Sequence, residues 1–370
     1  MSHNPPYRAD VVGSYLRTDA IHEAREAHEA GRLGDAELRA IEDREIIALI
    51  EQERANGLRV VTDGEFRRGW WHFDFYDGLD GVAVVDSDHG IQFTGVQTKT
   101  KALRVRDRIA FPADHLFLEH ARFLLEHAGD AQAKFTIPSP TVLHFRLEPG
   151  AVEGSPYAKP EDVFDDLAQA YADAIRAFHE IGIRYLQFDD TAWAYLCSET
   201  ELEKARARGL DTEGLGERYA ALLNAALAAK PSDMVVTTHV CRGNFRSTWI
   251  SSGGYEPVAK LLLADTGYDG YFLEYDSDRA GGFEPLRFLP RGEKTVVLGL
   301  VTSKSGELED PEVVKARIAE ASRFVPLEQL ALSPQCGFAS TEEGNVLTEE
   351  QQWAKIREIV AIANEVWPTG

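Results

Sequence analysis

The chain has 370 residues, 44% of them hydrophobic, and carries 39 basic against 61 acidic side chains for a formal net charge of −22. A field of that sign repels nucleic-acid phosphates, and no basic stripe overrules it locally, so the acidic excess reads as a solubilising surface. No apolar run approaches the about 20 residues that span a bilayer, and the opening ten residues lack the charged-then-apolar pattern of a signal peptide. These features predict a cytoplasmic protein with no nucleic-acid or membrane partner. Three cysteines, Cys197, Cys241 and Cys336, are too few and odd in number for a disulfide framework, which leaves metal binding or catalysis as their use.

In chain order, the first predicted strand covers 10–14 and the second 58–63, the latter after a helix closed by Gly57. Region 81–110 breaks the rhythm with short alternating runs and no helical spacing. It reads as an inserted antiparallel β-hairpin, the whole insertion running from about 73 to 110. The third strand is expected at 133–137. Pro160 then starts a helix whose apolar stripe is Val163, Phe164, Leu167, Tyr171, Ala174, Ile175 and Phe178, with Gly182 as its stop. Further strands follow at 185–189, 234–240, 270–275, 295–301 and 329–333. Their continuous apolar character suits strands buried on both faces. The last helix opens with Thr348 and Gln351 in capping-box spacing and runs Trp353, Ile356, Ile359, Val360 and Ala363 along one face. Eight strand–helix units favour a closed ring over an open doubly wound sheet. The prediction is one α/β domain over 1–370, a single (β/α)8 TIM barrel with the hairpin inserted after the second strand. A typical barrel needs about 250 residues, so there is room for that insertion.

In such a barrel the reactive groups collect at the C-terminal strand ends. Those ends read Gly13-Ser14, Asp63-Gly64-Glu65, Ser139-Pro140, Asp189-Asp190, His239-Val240-Cys241, Glu274, Thr302-Ser303-Lys304 and Cys336-Gly337. Residues two apart on an extended segment point the same way, so the His239 imidazole and the Cys241 thiol can share an ion. Closure of the ring brings Cys336 near them, with Glu274 on an intervening strand. Two thiolates, an imidazole and a carboxylate suit tetrahedral Zn2+ better than the all-oxygen shells of magnesium or calcium. A Glu274 ligand would be the weak one, able to leave when a substrate sulfur arrives. Cys197 has no such setting and reads as an inert buried thiol. The segment Trp70-Trp71-His72-Phe73 either walls a pocket for a flat or apolar co-substrate or anchors the hairpin, and His72 is a candidate proton carrier.

The segments His-Val-Cys-Arg-Gly-Asn-Phe, Leu-Glu-Tyr-Asp-Ser-Asp-Arg and Ser-Pro-Gln-Cys-Gly-Phe resemble the three zinc-ligand segments of the cobalamin-independent methionine synthase family. Val-Val-Gly-Ser-Tyr and Gln-Phe-Asp-Asp resemble two further motifs of that family. The likeness covers the whole chain but corresponds to the C-terminal catalytic half of the two-barrel enzyme, and it is strongest to single-barrel relatives. It implies a zinc-dependent methyltransferase that makes methionine from homocysteine through a zinc-bound thiolate. It also implies that Gly13, Ser14, Glu65 and Asp189 hold the amino-acid part of the thiol substrate; Asp189 as a plain helix cap is the alternative. Where the large family carries histidine, in an Asp-Ile-His-Ser context, this chain reads Leu-Val-Thr-Ser-Lys-Ser. That departure, with the missing folate-binding half, leaves the methyl donor open among folate, methylcobalamin and others.

The rival readings are alkylation of another thiol, as in the related epoxyalkane:coenzyme M transferases, and a non-catalytic zinc- or thiol-binding protein. A metal-free lyase like uroporphyrinogen decarboxylase would have no use for both Cys241 and Cys336. A sulfonated thiol wants cationic contacts, whereas Glu65 and Asp189 favour an amino-acid thiol.

Overall fold

A computed structural model describes residues 4–87, 92–93, 96–97 and 100–368. Its central sheet has seven parallel strands in sequential order: β1 (Val60–Val61), β2 (Gln132–Pro138), β3 (Tyr185–Asp189), β4 (Val235–Val240), β5 (Gly270–Glu274), β6 (Thr295–Val301) and β7 (Leu330–Pro334). Every residue of β3, β5, β6 and β7 is buried, as their unbroken apolar runs require.

The sheet curls until its edges are bridged by the N-terminal segment. On the β7 side the Asp10 amide donates to the Leu332 carbonyl at 3.1 Å and the Leu332 amide to the Arg8 carbonyl at 2.9 Å. On the β1 side the Tyr15 amide donates to the Gly64 carbonyl at 3.1 Å. The result is TIM-barrel-like. The predicted strand at 10–14 therefore occupies its expected place but pairs only near its two ends. At Gly13 φ is +146°, and a Cβ there would stand 2.7 Å from Thr136 Cγ2, so the backbone bends close against β2. β1 is also shorter than predicted. The Thr62 amide turns away to the buried Glu53 carboxylate at 3.0 Å, which ends strand pairing after Val61.

The predicted helices follow the same logic. Residues Pro160–Val163 form a 3-10 turn leading into the helix Phe164–Glu180, which buries Leu167, Tyr171, Ala174, Ile175 and Phe178. Thr348 caps the helix Glu349–Val366, exchanging bonds of 3.2 and 2.9 Å with Gln351. Between β1 and β2 the strands Asp80–Asp86 and Lys101–Ala110 pair antiparallel; the connection expected to form the hairpin's tip falls partly outside the described residues.

Inside the ring, Val12, Phe272, Val297 and Ala331 form a small apolar plug separate from the main core. Towards the N-terminal strand ends lies a fully buried ion pair, Lys134 Nζ to Asp10 Oδ1 at 3.3 Å. The opposite, C-terminal ends of the strands carry the polar residues described next.

Candidate metal and substrate site

His239 is the penultimate residue of β4 and Cys241 follows the strand directly, so alternation along extended backbone turns both side chains the same way. Cys336 lies two residues beyond β7, in a loop held from several sides. Ser303 donates its amide (2.8 Å) and hydroxyl (2.7 Å) to Gln335 Oε1, and the Gln335 amide donates to the Val301 carbonyl at 2.8 Å. Gly337 is obligatory there, because a Cβ would fall 1.9 Å from Ser14 Oγ. One ligand atom each from His239, Cys241 and Cys336 lies within 4.8 Å of the others, and all three residues are buried.

Neither ring nitrogen of His239 has a hydrogen-bond partner. Buried polar atoms are almost always satisfied, so an orphaned imidazole facing two sulfurs is the pattern of a ligand waiting for an ion. The thiols compete for one proton. Interaction with Cys241 draws Cys336 well below the usual thiol range, while interaction with Cys336, together with burial, pushes Cys241 well above it. This trio can hold a metal ion of thiophilic character. Glu274, the last residue of β5, is fully buried nearby but is not one of the three mutually close groups. Its Oε2 accepts the Arg242 amide at 3.0 Å, its Oε1 lies 3.5 Å from Arg279, and Oε1 has no hydrogen bond.

The trio faces a pocket of about 500 Å³. Ser14, Glu65 and Asp189 line it together with His239, Cys241 and Cys336, so six of the sequence-derived residues meet in one place. Gly13 adjoins Ser14 in the bridging segment. Glu65 has φ +58°, a left-handed conformation that disfavours any side chain. It is held there by its amide, which donates to Asp63 Oδ1 at 2.9 Å, and by its carbonyl, which accepts Arg17 Nη2 at 2.7 Å. One carboxylate oxygen accepts from Thr136 Oγ1 at 2.8 Å and the other has no partner. Burial pushes the Glu65 carboxyl up, against the pull of Arg68 and Arg17. Burial likewise pushes Asp189 up to about 7, against His239 and with Glu65 adding its repulsion. Two crowded, desolvated carboxylates of this kind are stabilised by an arriving cation such as an ammonium.

His72 does not line the pocket; its neighbour Trp71 does. The His72 ring packs 4.6 Å from Trp71 and 4.1 Å from Phe73, with both nitrogens unpartnered. Burial, then the charge of Arg146, holds the imidazole well below its ordinary pKa, hence neutral. Cys197 is a thiol of another kind, pushed up to about 12 by burial and donating to the Trp193 carbonyl.

Sequence reasoning passed over several residues. Buried Arg17 ties together the carbonyls of Tyr15, Glu65, Arg68 and Ala339. Arg68 reaches Thr136 and stands 3.5 Å from Glu65. Arg146, Tyr195 and Asn244 line the pocket. An arginine beyond a strand end looks like any solvated cation in a sequence. The only available signal was proximity to flagged segments: Arg68 follows Glu65 by three positions, and Asn244 sits in the segment containing Cys241.

Comparison with known proteins fits this geometry. Residues 8–365 match the family model for the cobalamin-independent synthase catalytic domain. A Bacillus subtilis protein, the uncharacterized YxjG, is 53% identical over 98% of this chain and 95% of its own length. A methionine synthase from Sulfurisphaera tokodaii is 21% identical over 91% of this chain and 88% of its own. Among solved structures, a Listeria monocytogenes protein provisionally assigned as a vitamin-B12 independent methionine synthase superposes with a TM-score of 0.80 at 43% identity, covering all of both chains.

Proposed function

Because the chain belongs to the cobalamin-independent methionine synthase catalytic-domain family, we propose that it is a zinc-dependent methyltransferase acting on a thiol, with homocysteine as acceptor and methionine as product. The observation that carries this reading is the trio of His239, Cys241 and Cys336, buried, mutually within 4.8 Å and facing a pocket. Under this reading the fold is a complete (β/α)8 barrel with a hairpin insertion, working in the cytoplasm.

Zinc held by those three residues would supply acidification of the acceptor sulfur, making it a thiolate at neutral pH. Glu274, buried and with Oε1 unpaired, is the proposed fourth donor that yields to the incoming sulfur. Glu65 and Asp189 take the acceptor's ammonium: each is desolvated, and neutralisation by a cation relieves both. Ser14, beside Gly13 in the bridging segment, faces the same pocket and offers a hydroxyl to the carboxylate. Trp71 closes the pocket on another side, excluding water from the attacking sulfur. His72 enters as a relay between its two nitrogens rather than a stored acid, since its imidazole is neutral. The donor is left open between a folate, methylcobalamin and another methyl compound, because Thr302-Ser303-Lys304 stands where the larger enzymes place their acid histidine.

The test is metal content followed by X-ray absorption with homocysteine added. The reading expects about one zinc per chain and one additional Zn–S contact near about 2.3 Å. Glu274→Ala should keep zinc while altering thiol exchange. Stoichiometric zinc whose coordination ignores every added thiol would leave only a metal-binding protein.

A further inference from the structure

Arg146 is the pocket residue whose charge nothing above uses. It caps the short helix Pro140–Phe145 just after β2, and its side chain lines the same pocket as the trio. Its Nη2 donates to the Tyr195 hydroxyl at 2.5 Å, while its Nε is buried without a partner. Among the described residues no carboxylate pairs with it, whereas the buried Arg67 is paired with Asp43 at 2.6 Å. Glu65 and Asp189 draw their compensation from Arg68, Arg17 and His239 instead. Arg208, bonded to the Phe145 carbonyl at 2.9 Å, adds a second positive charge on this side; it feels Arg146 as well as Glu148 and Glu201. In a chain of net charge −22, a partly buried guanidinium facing a cavity with no counter-ion is an unbalanced cost that a bound anion offsets.

We propose that Arg146 and Tyr195 form an anion subsite that binds an acidic oxygen group (carboxylate, sulfonate or phosphoryl) of the second substrate, the methyl donor. The planar guanidinium fork suits all three groups, and the phenol fixes its orientation. Trp71 and Ile250 supply an apolar wall for the uncharged part of the same molecule. Tyr195 feels the charge of Arg146 and, on its other side, that of Cys241, so a molecule anchored here lies within reach of the acceptor sulfur. The assignment to the donor rests on the methyltransferase reading; the anion site itself does not.

The experiment uses zinc-loaded full-length protein, first titrated with homocysteine and then, with homocysteine saturating, with inorganic phosphate, methanesulfonate and glutarate, followed by calorimetry. The wild type should bind at least one of the three saturably with homocysteine present, and the three arms identify which oxyanion it prefers. Arg146→Gln should weaken that binding at least tenfold, Arg146→Lys less and Tyr195→Phe less again, while homocysteine affinity stays within twofold. Melting temperatures separate misfolding from lost contacts, and the Lys and Phe variants keep the test alive if Gln does not fold. Three results overturn the proposal: no anion binds to the wild type, binding is equal in Arg146→Gln, or homocysteine competes with the anion and is itself lost in Arg146→Gln. The last would make Arg146 the acceptor's carboxylate anchor. Failure of the wild type to bind homocysteine would sink the methyltransferase reading and leave the anion measurement standing.

Discussion

The two ends of the barrel interior are equally buried and treat polar groups in opposite ways. At the N-terminal end Asp10 is fully occupied: Oδ1 accepts the Val11 amide (2.8 Å) and Lys134, and Oδ2 accepts the Tyr7 amide and the Tyr185 hydroxyl, both at 3.0 Å. Lys134 in turn lies 3.8 Å from the Phe272 ring centre. At the C-terminal end, buried atoms of His239, Glu65, Glu274 and Asn244 have no partner. An unmade bond on a buried group costs about 1–3 kcal/mol, so several at one mouth and none on the ion pair below mark where the protein expects a ligand. The lower end holds the ring together; the upper end is held ready.

If that division is right, substitutions at the two ends should fail in different currencies. The largest effect is expected from Cys336→Ala, which leaves two of the three mutually close ligands. Zinc content measured by mass spectrometry should fall from about one per chain to near none, with activity, while the far-ultraviolet circular dichroism stays native. Full zinc and full activity in this variant would remove the site. Next comes Lys134→Met, which strands Asp10 in an apolar interior. Breaking a buried pair by removing one partner costs about 3–5 kcal/mol, so urea unfolding should show a loss of that order, with zinc content of the folded fraction unchanged. A zinc loss as large as that of Cys336→Ala would show that the two ends are not separable.

The same contrast explains what could be read in the residues beforehand. The apolar runs that became β2 to β7 were legible because strands buried on both faces leave no ambiguity of face, and their ends identified His239, Cys241 and Cys336 with little else. The helix after Pro160 and the capping box at Thr348 were equally plain, being local chemistry. The segment 10–14 was misjudged as a full strand because its bend depends on Gly13 meeting Thr136, a contact between residues 123 positions apart. Likewise nothing near Arg17 foretold four carbonyls converging on it. Pairings made across the ring leave no periodicity in the chain, and these are the pairings that shape the pocket.

A smaller effect extends the comparison to the helical layer. His144 bonds Tyr219 at 2.8 Å through Nδ1 but leaves Nε2 unpaired, and burial, with Arg218 nearby, pulls it down to about 3. Burial, with Arg67 foremost among nearby cations, pulls His120 to about 2. Both folded values lie below the ordinary value of 6.5, so the unfolded chain takes up the protons first as pH falls. Stability is complete above about pH 6.5 and declines below it, by about 1.4 kcal/mol per pH unit for each group until its folded value is reached. Urea midpoints compared at pH 7.5 and 5.5 should show the decline, and His144→Gln should flatten part of it. A pH-independent midpoint would mean these imidazoles are not held neutral.

The smallest change in stability, and the sharpest test of the upper end, is expected from Glu65→Gly. The native glutamate holds φ +58°, a conformation costing a side chain on the order of 1 kcal/mol that glycine adopts freely. Its carboxylate is also desolvated and carries an oxygen with no partner, a second burden the substitution lifts. Against these stand the lost bond from Thr136 at 2.8 Å and the loss of a negative charge 3.5 Å from Arg68, whose Nη2 keeps its bond to the Thr136 carbonyl at 2.6 Å. Terms of about 1 kcal/mol on each side nearly cancel, so unfolding free energy should move by no more than about 1 kcal/mol. Homocysteine affinity should nevertheless fall at least tenfold. A residue present for the fold would give the reverse, several kcal/mol of lost stability with the acceptor still bound, and Glu65 would then belong with Asp10 and Lys134 rather than with the pocket.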